Sequence, residues 1–241
     1  VHFEEGDNDG AREDLTWAET RLKSVSKASR DHDISLLNKA AFHIAIDEPM
    51  MALHVHGEIS RHAGHANETI AISRIQAARI HMEFGHIYDA ARCAFNAHAH
   101  AMIANQAELA VESGAIFVEI ASGSINDDAE NFADQIVDSK PLSAGEKTPT
   151  LQVNLSDIYG VLEWCIANTL DGYSGPERPD LQALVMLAKK LEREDLFAEL
   201  LSSPSEIEDA MLAALCASIS SEEKAKLWTE RVTEILTLKG A

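Results

Sequence analysis

Small residues recur at fixed intervals in the N-terminal half of this 241-residue chain, and this recurrence limits its fold more than any other feature. Near the middle of that half, offsets 0, 7, 12 and 19 are occupied by Ala78, Gly85, Ala90 and Ala97. Two antiparallel helices joined by a tight turn need small side chains at such positions, because their backbones approach closely. The spacing therefore predicts a helical hairpin.

The same frame recurs on both sides of this hairpin. It falls upstream on Ala40, Asp47, Ala52 and Ile59, and downstream on Phe117, Ser124, Ala129 and Ile136. Successive central alanines are 38 and 39 residues apart, against about 34 in a strict tetratricopeptide repeat. A single hairpin cannot bury its apolar face alone, so neighbouring hairpins are expected to stack. The predicted hairpins are 35–65, 68–102 and 105–138.

Helical patterning continues through the rest of the chain, and no sustained period-2 alternation predicts a sheet. In the first hairpin, three- and four-residue steps predict a buried face formed by Ile34, Leu37, Ala41 and Ile44. The predicted fold class is all-α, a tetratricopeptide-like right-handed superhelix of about ten to twelve helices in antiparallel hairpins. The residues assigned to repeat packing are Ala40, Ala52, Ala78, Gly85, Ala90, Ala97 and Ala129.

Composition divides the chain into four segments. Residues 1–10 hold four carboxylates and no basic residue, and we expect disorder there. Tetratricopeptide-like repeats are assigned to 11–138, and a loop containing proline and glycine to 139–154. Helices over 155–241 would continue or cap the stack. Large apolar residues persist to the end of this segment and are candidates for a cap or for a partner or domain interface: Leu215, Trp228, Ile235 and Leu238.

Helix starts are marked by specific residues. Pro49 suits a first helical turn, and Asp180 is a natural N-cap. Capping-box spacing pairs Ser205 with Glu208 and Ser220 with Glu223.

Charge limits the partners of the chain. With 20 basic and 40 acidic residues, its net charge of −20 repels phosphate groups, so we expect neither nucleic-acid nor membrane binding. Three distant cysteines without a CxxC motif favour a reducing compartment, here the cytoplasm or nucleus, and we expect each to be buried.

The eleven histidines, all between positions 2 and 100, invite a metal-site interpretation that their spacing does not support. Ligands on one helix need steps of 3 or 4, whereas His54 and His56 are two apart. His81 and His86 are five apart across Gly85, and no HExxH motif is present. Motifs for a nucleophilic serine, a phosphate loop or a dinucleotide site are also missing. We therefore predict no catalytic, cofactor-binding or metal residues.

The order of elements resembles the helical-repeat region of the PCI superfamily. It is most similar to the family that joins subunit seven of the proteasome lid with subunit one of the COP-nine signalosome. The first similarity is a "LLxKAA"-like helix, followed by a connection and an Ile- and Arg-containing helix: Leu36, Leu37, Lys39, Ala40, Ala41, Gly64, His65, Ile70, Ile72 and Arg74. The second is an "IYG" helix start at Ile158, Tyr159 and Gly160, with "ERPDL" at 177–181 like the lid member.

This resemblance implies a non-catalytic scaffold: the N-terminal arm of a subunit that binds other protein subunits, with the family's C-terminal winged-helix module absent from this sequence. Three alternatives remain open. One is a freestanding tetratricopeptide-like adaptor that binds peptides, one is a histidine-based metal-dependent enzyme, and one is an acidic mimic that binds a nucleic-acid-binding protein.

Overall fold

The computed structural model is all-α over the residues that it describes, which confirms the predicted secondary-structure class. The described residues are 6–26, 28–60, 63–125, 128–137, 153–170, 179–198, 204–206 and 210–239. Eleven α-helices occupy this part of the chain: α1 Asn8–Val25, α2 Arg30–Ala45, α3 Pro49–Glu58, α4 Asn67–Glu83, α5 Ile87–Ile103, α6 Ala107–Ser124, α7 Ala129–Val137, α8 Leu155–Leu170, α9 Leu181–Lys190, α10 Ala210–Ile219 and α11 Glu222–Lys239.

The chain divides into two compact units, and the division falls within α6. One unit comprises Val1–Phe117 and Gln135–Gln152, and the other comprises Val118–Asp134 and Val153–Ala241. The predicted loop at 139–154 lies almost wholly outside the described residues. The segment predicted to be disordered at 1–10 needs a correction at its end. There Asp7 accepts a hydrogen bond from the backbone of Gly10 and caps α1, which begins at Asn8.

In the first unit, helices that follow one another along the chain pack together from α1 to α5, and α2 also contacts α4. The packed pairs α2–α3 and α4–α5 overlap the first two predicted hairpins, and the second pair agrees with its prediction to within one residue at each end. The helices α6 and α7 lie over the third predicted hairpin, 105–138. Asp47 and Gly85 share one offset in the repeat frame, and both adopt a left-handed backbone, with φ of 60° and 71°. Two successive hairpins therefore turn in the same way at the same position of the frame.

Several helix starts lie where the sequence places them. Pro49 is in the first turn of α3, and the Asp180 side chain accepts a hydrogen bond from the Ala183 backbone at the start of α9. The capping box predicted at Ser220 is wrong, because its hydroxyl donates to the Cys216 carbonyl in α10 instead. Glu208 lies outside the described residues.

The predicted buried face of α2 is wrong at three of its four residues, and the fourth, Leu37, is partly buried against the core. Ile34 and Ile44 are 46% and 45% exposed, and Ala41 is exposed as well. The helix instead buries Leu36 and Ala40 in a cluster with residues of α3 and α4. Polar side chains share this buried face and find hydrogen-bond partners there, which the apolar periodicity of the sequence does not register.

The second unit has its own packed core. In the helix pair α10–α11, Trp228 and Ile235 pack against Ala213 and Cys216 of the opposite helix. Elsewhere in this unit, Lys190 at the end of α9 donates to the Ser122 carbonyl of α6 at 2.6 Å.

None of the helices in the described part of the chain combines the length and the apolar composition that crossing a bilayer requires.

Candidate functional site

Five of the seven residues assigned to repeat packing are fully buried. The alanines at positions 40, 52, 78, 90 and 97 are each 0% exposed. Gly85 occupies the exposed α4–α5 turn, where its positive φ and not close packing explains the residue type. Ala129 is only half-buried. The burial of five of these seven positions agrees with the close helix packing that the sequence predicts, and that role stays a prediction.

The four C-terminal candidates divide into buried and exposed residues. Trp228 and Ile235 are 0% and 3% exposed, so the chain itself already covers them. The expectation that these two side chains contact a partner is corrected accordingly, and they act as core residues of their unit. Leu215 is half-buried, while Leu238 is 75% exposed on the last helix.

Buried histidines and their partners form three polar clusters in the first unit, beginning with the Asp33 cluster. The Asp33 carboxylate, 3% exposed, accepts hydrogen bonds from His65 Nδ1 at 2.5 Å and from Thr69 Oγ1 at 2.7 Å. It also accepts the backbone N–H of Ala66 at 3.3 Å. Ala66 is the N-cap of α4 and supplies no capping side chain. A carboxylate from α2 thus stabilises the start of α4 from across the interface.

The second cluster joins α1 to the α2–α3 turn through Glu48. Arg12 donates to both oxygens of Glu48, at 2.8 and 2.9 Å, and His43 Nδ1 lies 2.8 Å from the same carboxylate. The Arg12 guanidinium also stands 5.7 Å from the centre of the Phe42 ring. The hydrogen bond from Arg12 and then that from His43 lower the pKa of Glu48 to about 2. This carboxylate is therefore ionised across the physiological pH range and orders the turn.

The third cluster is a histidine–serine pair between α3 and α4. His56 Nδ1 lies 3.0 Å from Ser73 Oγ, and both residues are 0% exposed. Burial, with a smaller effect of Arg74, lowers the pKa of His56 to about 4. A base beside a hydroxyl has the composition of a nucleophilic pair, but a substrate cannot reach a pair that solvent does not reach. We interpret it as a packing contact.

All three cysteines are buried and free, as the sequence predicts. Burial raises the pKa of the Cys165 thiol to about 12 and that of Cys216 to about 11. The pKa of Cys93 is raised for the same reason. Thiols with such pKa values carry almost no thiolate at neutral pH and are poor nucleophiles.

The first unit has an exposed apolar edge at two of its turns. Asp33 near the start of α2 contacts Ala66 and Thr69 at the start of α4, and the two helices have similar lengths. The α2–α3 and α4–α5 turns that follow these helices therefore lie at the same end of this unit. Large apolar side chains are exposed at both, including Met50 at 61% and Phe84 at 46%. We call these six residues the turn-edge patch: Ile44, Met50, Met51, Phe84, Ile87 and Tyr88.

Sequence reasoning missed the turn-edge patch. Its residues belong to apolar runs in which exposed and buried positions cannot be separated by periodicity, as the exposure of Ile44 shows. One usable signal was available: Met50, Met51 and Phe84 stand beside turn residues, where a core side chain has few neighbours to pack against.

Over the residues that the structure describes, these observations define an all-helical fold. Its N-terminal histidines take part in helix contacts, and several large apolar residues are exposed at two hairpin turns. No protein-family model, curated protein or solved structure matches this chain.

Proposed function

We propose that this chain is a non-catalytic scaffold that binds another protein through the turn-edge patch. The observation that supports this most directly is the grouping of large exposed apolar side chains at two neighbouring turns of one unit. Exposed apolar groups that lie together favour association with another apolar surface, because contact removes their area from water.

The charge of the chain indicates the chemistry of the partner. Asp47 and Glu83 are exposed at the same two turns as the patch, and the whole chain has a net charge of −20. A partner that presents apolar side chains with lysine or arginine around them would complement both features. An acidic partner would be repelled.

The described interior also supports a structural role for the polar groups of the N-terminal half. Asp33, Glu48 and His56 each take part in contacts between helices. A scaffold needs rigid helix pairs, and hydrogen-bonded groups in such interfaces favour one arrangement over others.

We further propose that the chain is a tetratricopeptide-like superhelical arm of a signalosome- or proteasome-lid-type subunit, which works in the cytoplasm or nucleus beside other protein subunits. This more specific proposal rests on the sequence resemblance alone. The freestanding adaptor is the second candidate, and it differs in needing only a peptide as its ligand. Titration with short basic peptides distinguishes the two, because an adaptor binds them and a subunit arm requires a folded neighbour.

The test is recovery of a partner from the source cell with patch variants. We expect a defined partner to copurify with the wild-type chain and to be lost when Met50, Phe84 and Tyr88 are changed to serine. The matched control changes Met102 and Ile103, which are 45% and 68% exposed at the α5–α6 turn at the other end of the unit. Recovery of the chain as a lone monomer, or equal loss of the partner with both variants, would refute the proposal.

A further inference from the structure

The α4–α5 turn brings together three side chains that can bind a metal ion. His81 lies in the last turn of α4, His86 is the N-cap of α5, and Asp89 follows in the first turn of α5. One ligand atom from each residue lies within 4.8 Å of those from the other two. Their spacing in the sequence did not indicate a metal site, since the residues belong to two helices and meet only at the turn.

The backbone of the turn creates this proximity. Gly85 has φ of 71°, a left-handed conformation that reverses the chain directly after α4. The His86 N–H then donates to the His81 carbonyl at 2.8 Å, which fixes the two histidines on either side of the reversal. Their rings are 5.7 Å apart, centre to centre.

The hydrogen bonding of the three groups suits a cation. His81 Nδ1 is buried and has no hydrogen-bond partner among the described residues. Arg92 donates to only one oxygen of Asp89, at 2.6 Å, and the carboxylate keeps a second oxygen for a metal bond.

The Asp33 cluster is less suited to a metal ion than the three residues at the α4–α5 turn. His32, Asp33 and His65 also lie within reach of one ion. The Asp33 carboxylate, however, already accepts three hydrogen bonds, and all three residues are buried. A metal would have to displace those bonds in a closed interior. At the α4–α5 turn, by contrast, His86 is exposed and an ion can enter from solvent.

We propose that His81, His86 and Asp89 bind one divalent transition-metal ion of the zinc class, with solvent completing its coordination. Two imidazoles and one carboxylate match the ligands of Zn²⁺, Ni²⁺ and Co²⁺, whereas Ca²⁺ and Mg²⁺ prefer oxygen ligands only. Bonds of about 2.0–2.2 Å require the ligand atoms to approach one another to within roughly 3.5 Å. Rotation of the exposed His86 side chain and a small shift of Asp89 supply that movement.

The ion would link the last turn of α4 to the first turn of α5. It would hold the turn that presents Phe84, Ile87 and Tyr88, and so order one half of the turn-edge patch. The metal site does not depend on the proposed scaffold function, since its ligands and their test are separate from any partner.

The test uses the purified, metal-free chain and Zn²⁺, with Co²⁺ as a spectroscopic probe. We expect one equivalent of Zn²⁺ to bind, and a melting temperature about 5–10 °C higher at a free-ion concentration of roughly 100 times Kd. Bound Co²⁺ should show the intense visible absorption of a low-symmetry site with nitrogen ligands. His86→Ala should weaken Zn²⁺ binding by about 100-fold or more, and Asp89→Asn by at least about 10-fold.

The control is His54→Ala. His54 is exposed and has Glu58 3.7 Å away on the same helix. Among the described residues, this histidine and carboxylate belong to no group of three metal ligands. This variant should bind Zn²⁺ like the wild type. Since His86 is exposed, its replacement does not endanger folding, which circular dichroism would check. Wild-type affinity in His86→Ala, equal weakening in His54→Ala, or a Co²⁺ spectrum typical of the hydrated ion would overturn the proposal.

Discussion

Removing the Asp33 carboxylate should destabilise the first unit strongly, although the residue is charged and belongs to no apolar pattern. Asp33 is 3% exposed and accepts hydrogen bonds from His65, Thr69 and Ala66. In Asp33→Ala, the His65 N–H and the Thr69 hydroxyl lose a buried acceptor. Each unsatisfied group costs about 1–3 kcal/mol, so the two groups together cost about 2–6 kcal/mol.

We therefore expect Asp33→Ala to lose about 2–6 kcal/mol of unfolding free energy, a large part of the roughly 5–15 kcal/mol typical of a domain. At about 2–4 °C per kcal/mol, the melting temperature of this unit should fall by about 4–24 °C. Urea unfolding followed by circular dichroism measures the free energy. Asp33→Asn keeps the shape and one acceptor oxygen, so it should lose less than Asp33→Ala.

Asp31→Ala is the matched control, because Asp31 is exposed in the same turn of α2. It should cost at most about 1 kcal/mol, through the helix dipole. A double variant, Asp33→Ala with His65→Ala, should lose less stability than the two single changes add up to, since both remove the same contact. A cost of Asp33→Ala no greater than that of Asp31→Ala, or additive effects of Asp33→Ala and His65→Ala, would refute this prediction.

Three further predictions follow from single residues. In the folded chain His56 has a pKa of about 4 against an ordinary value of 6.5, so the unfolded chain binds more protons between these pH values. The free energy of unfolding should therefore fall by up to about 3 kcal/mol from pH 6.5 to pH 4. Urea titrations should show a smaller fall over that window for His56→Gln. Gly85→Ala should cost about 1 kcal/mol of stability because φ is 71° at this position. Gly160→Ala lies in the middle of α8 with nothing within 4 Å of an added Cβ, and it should gain about 0.5–1 kcal/mol. Thermal melts in which both variants change stability in the same direction would contradict this prediction. Trp228→Ala should cost about 3–5 kcal/mol because Trp228 is 0% exposed, and Leu227→Ala, at a side chain 55% exposed, is the control that should stay within about 1 kcal/mol in chemical denaturation.

Helix pairing was predictable from the sequence because it depends on local chemistry. Only small side chains let two helices approach closely, and Ala78 and Ala90 are fully buried where the frame placed them. Pro49 and Asp180 marked helix starts for equally local reasons, a fixed φ and a capping carboxylate. The superhelical arrangement and the family remain predictions.

Which face of each helix is buried was decided only by the tertiary structure. The sequence favoured Ile34 and Ile44 on the inner face of α2, yet Asp33 is inside because His65 and Thr69 arrive from other segments to satisfy it. A buried carboxylate is stable only when donors distant in sequence converge on it, and one-dimensional periodicity contains no information about that convergence. The same reason explains the group at the α4–α5 turn, where His81 and Asp89 belong to different helices and meet only after the chain reverses.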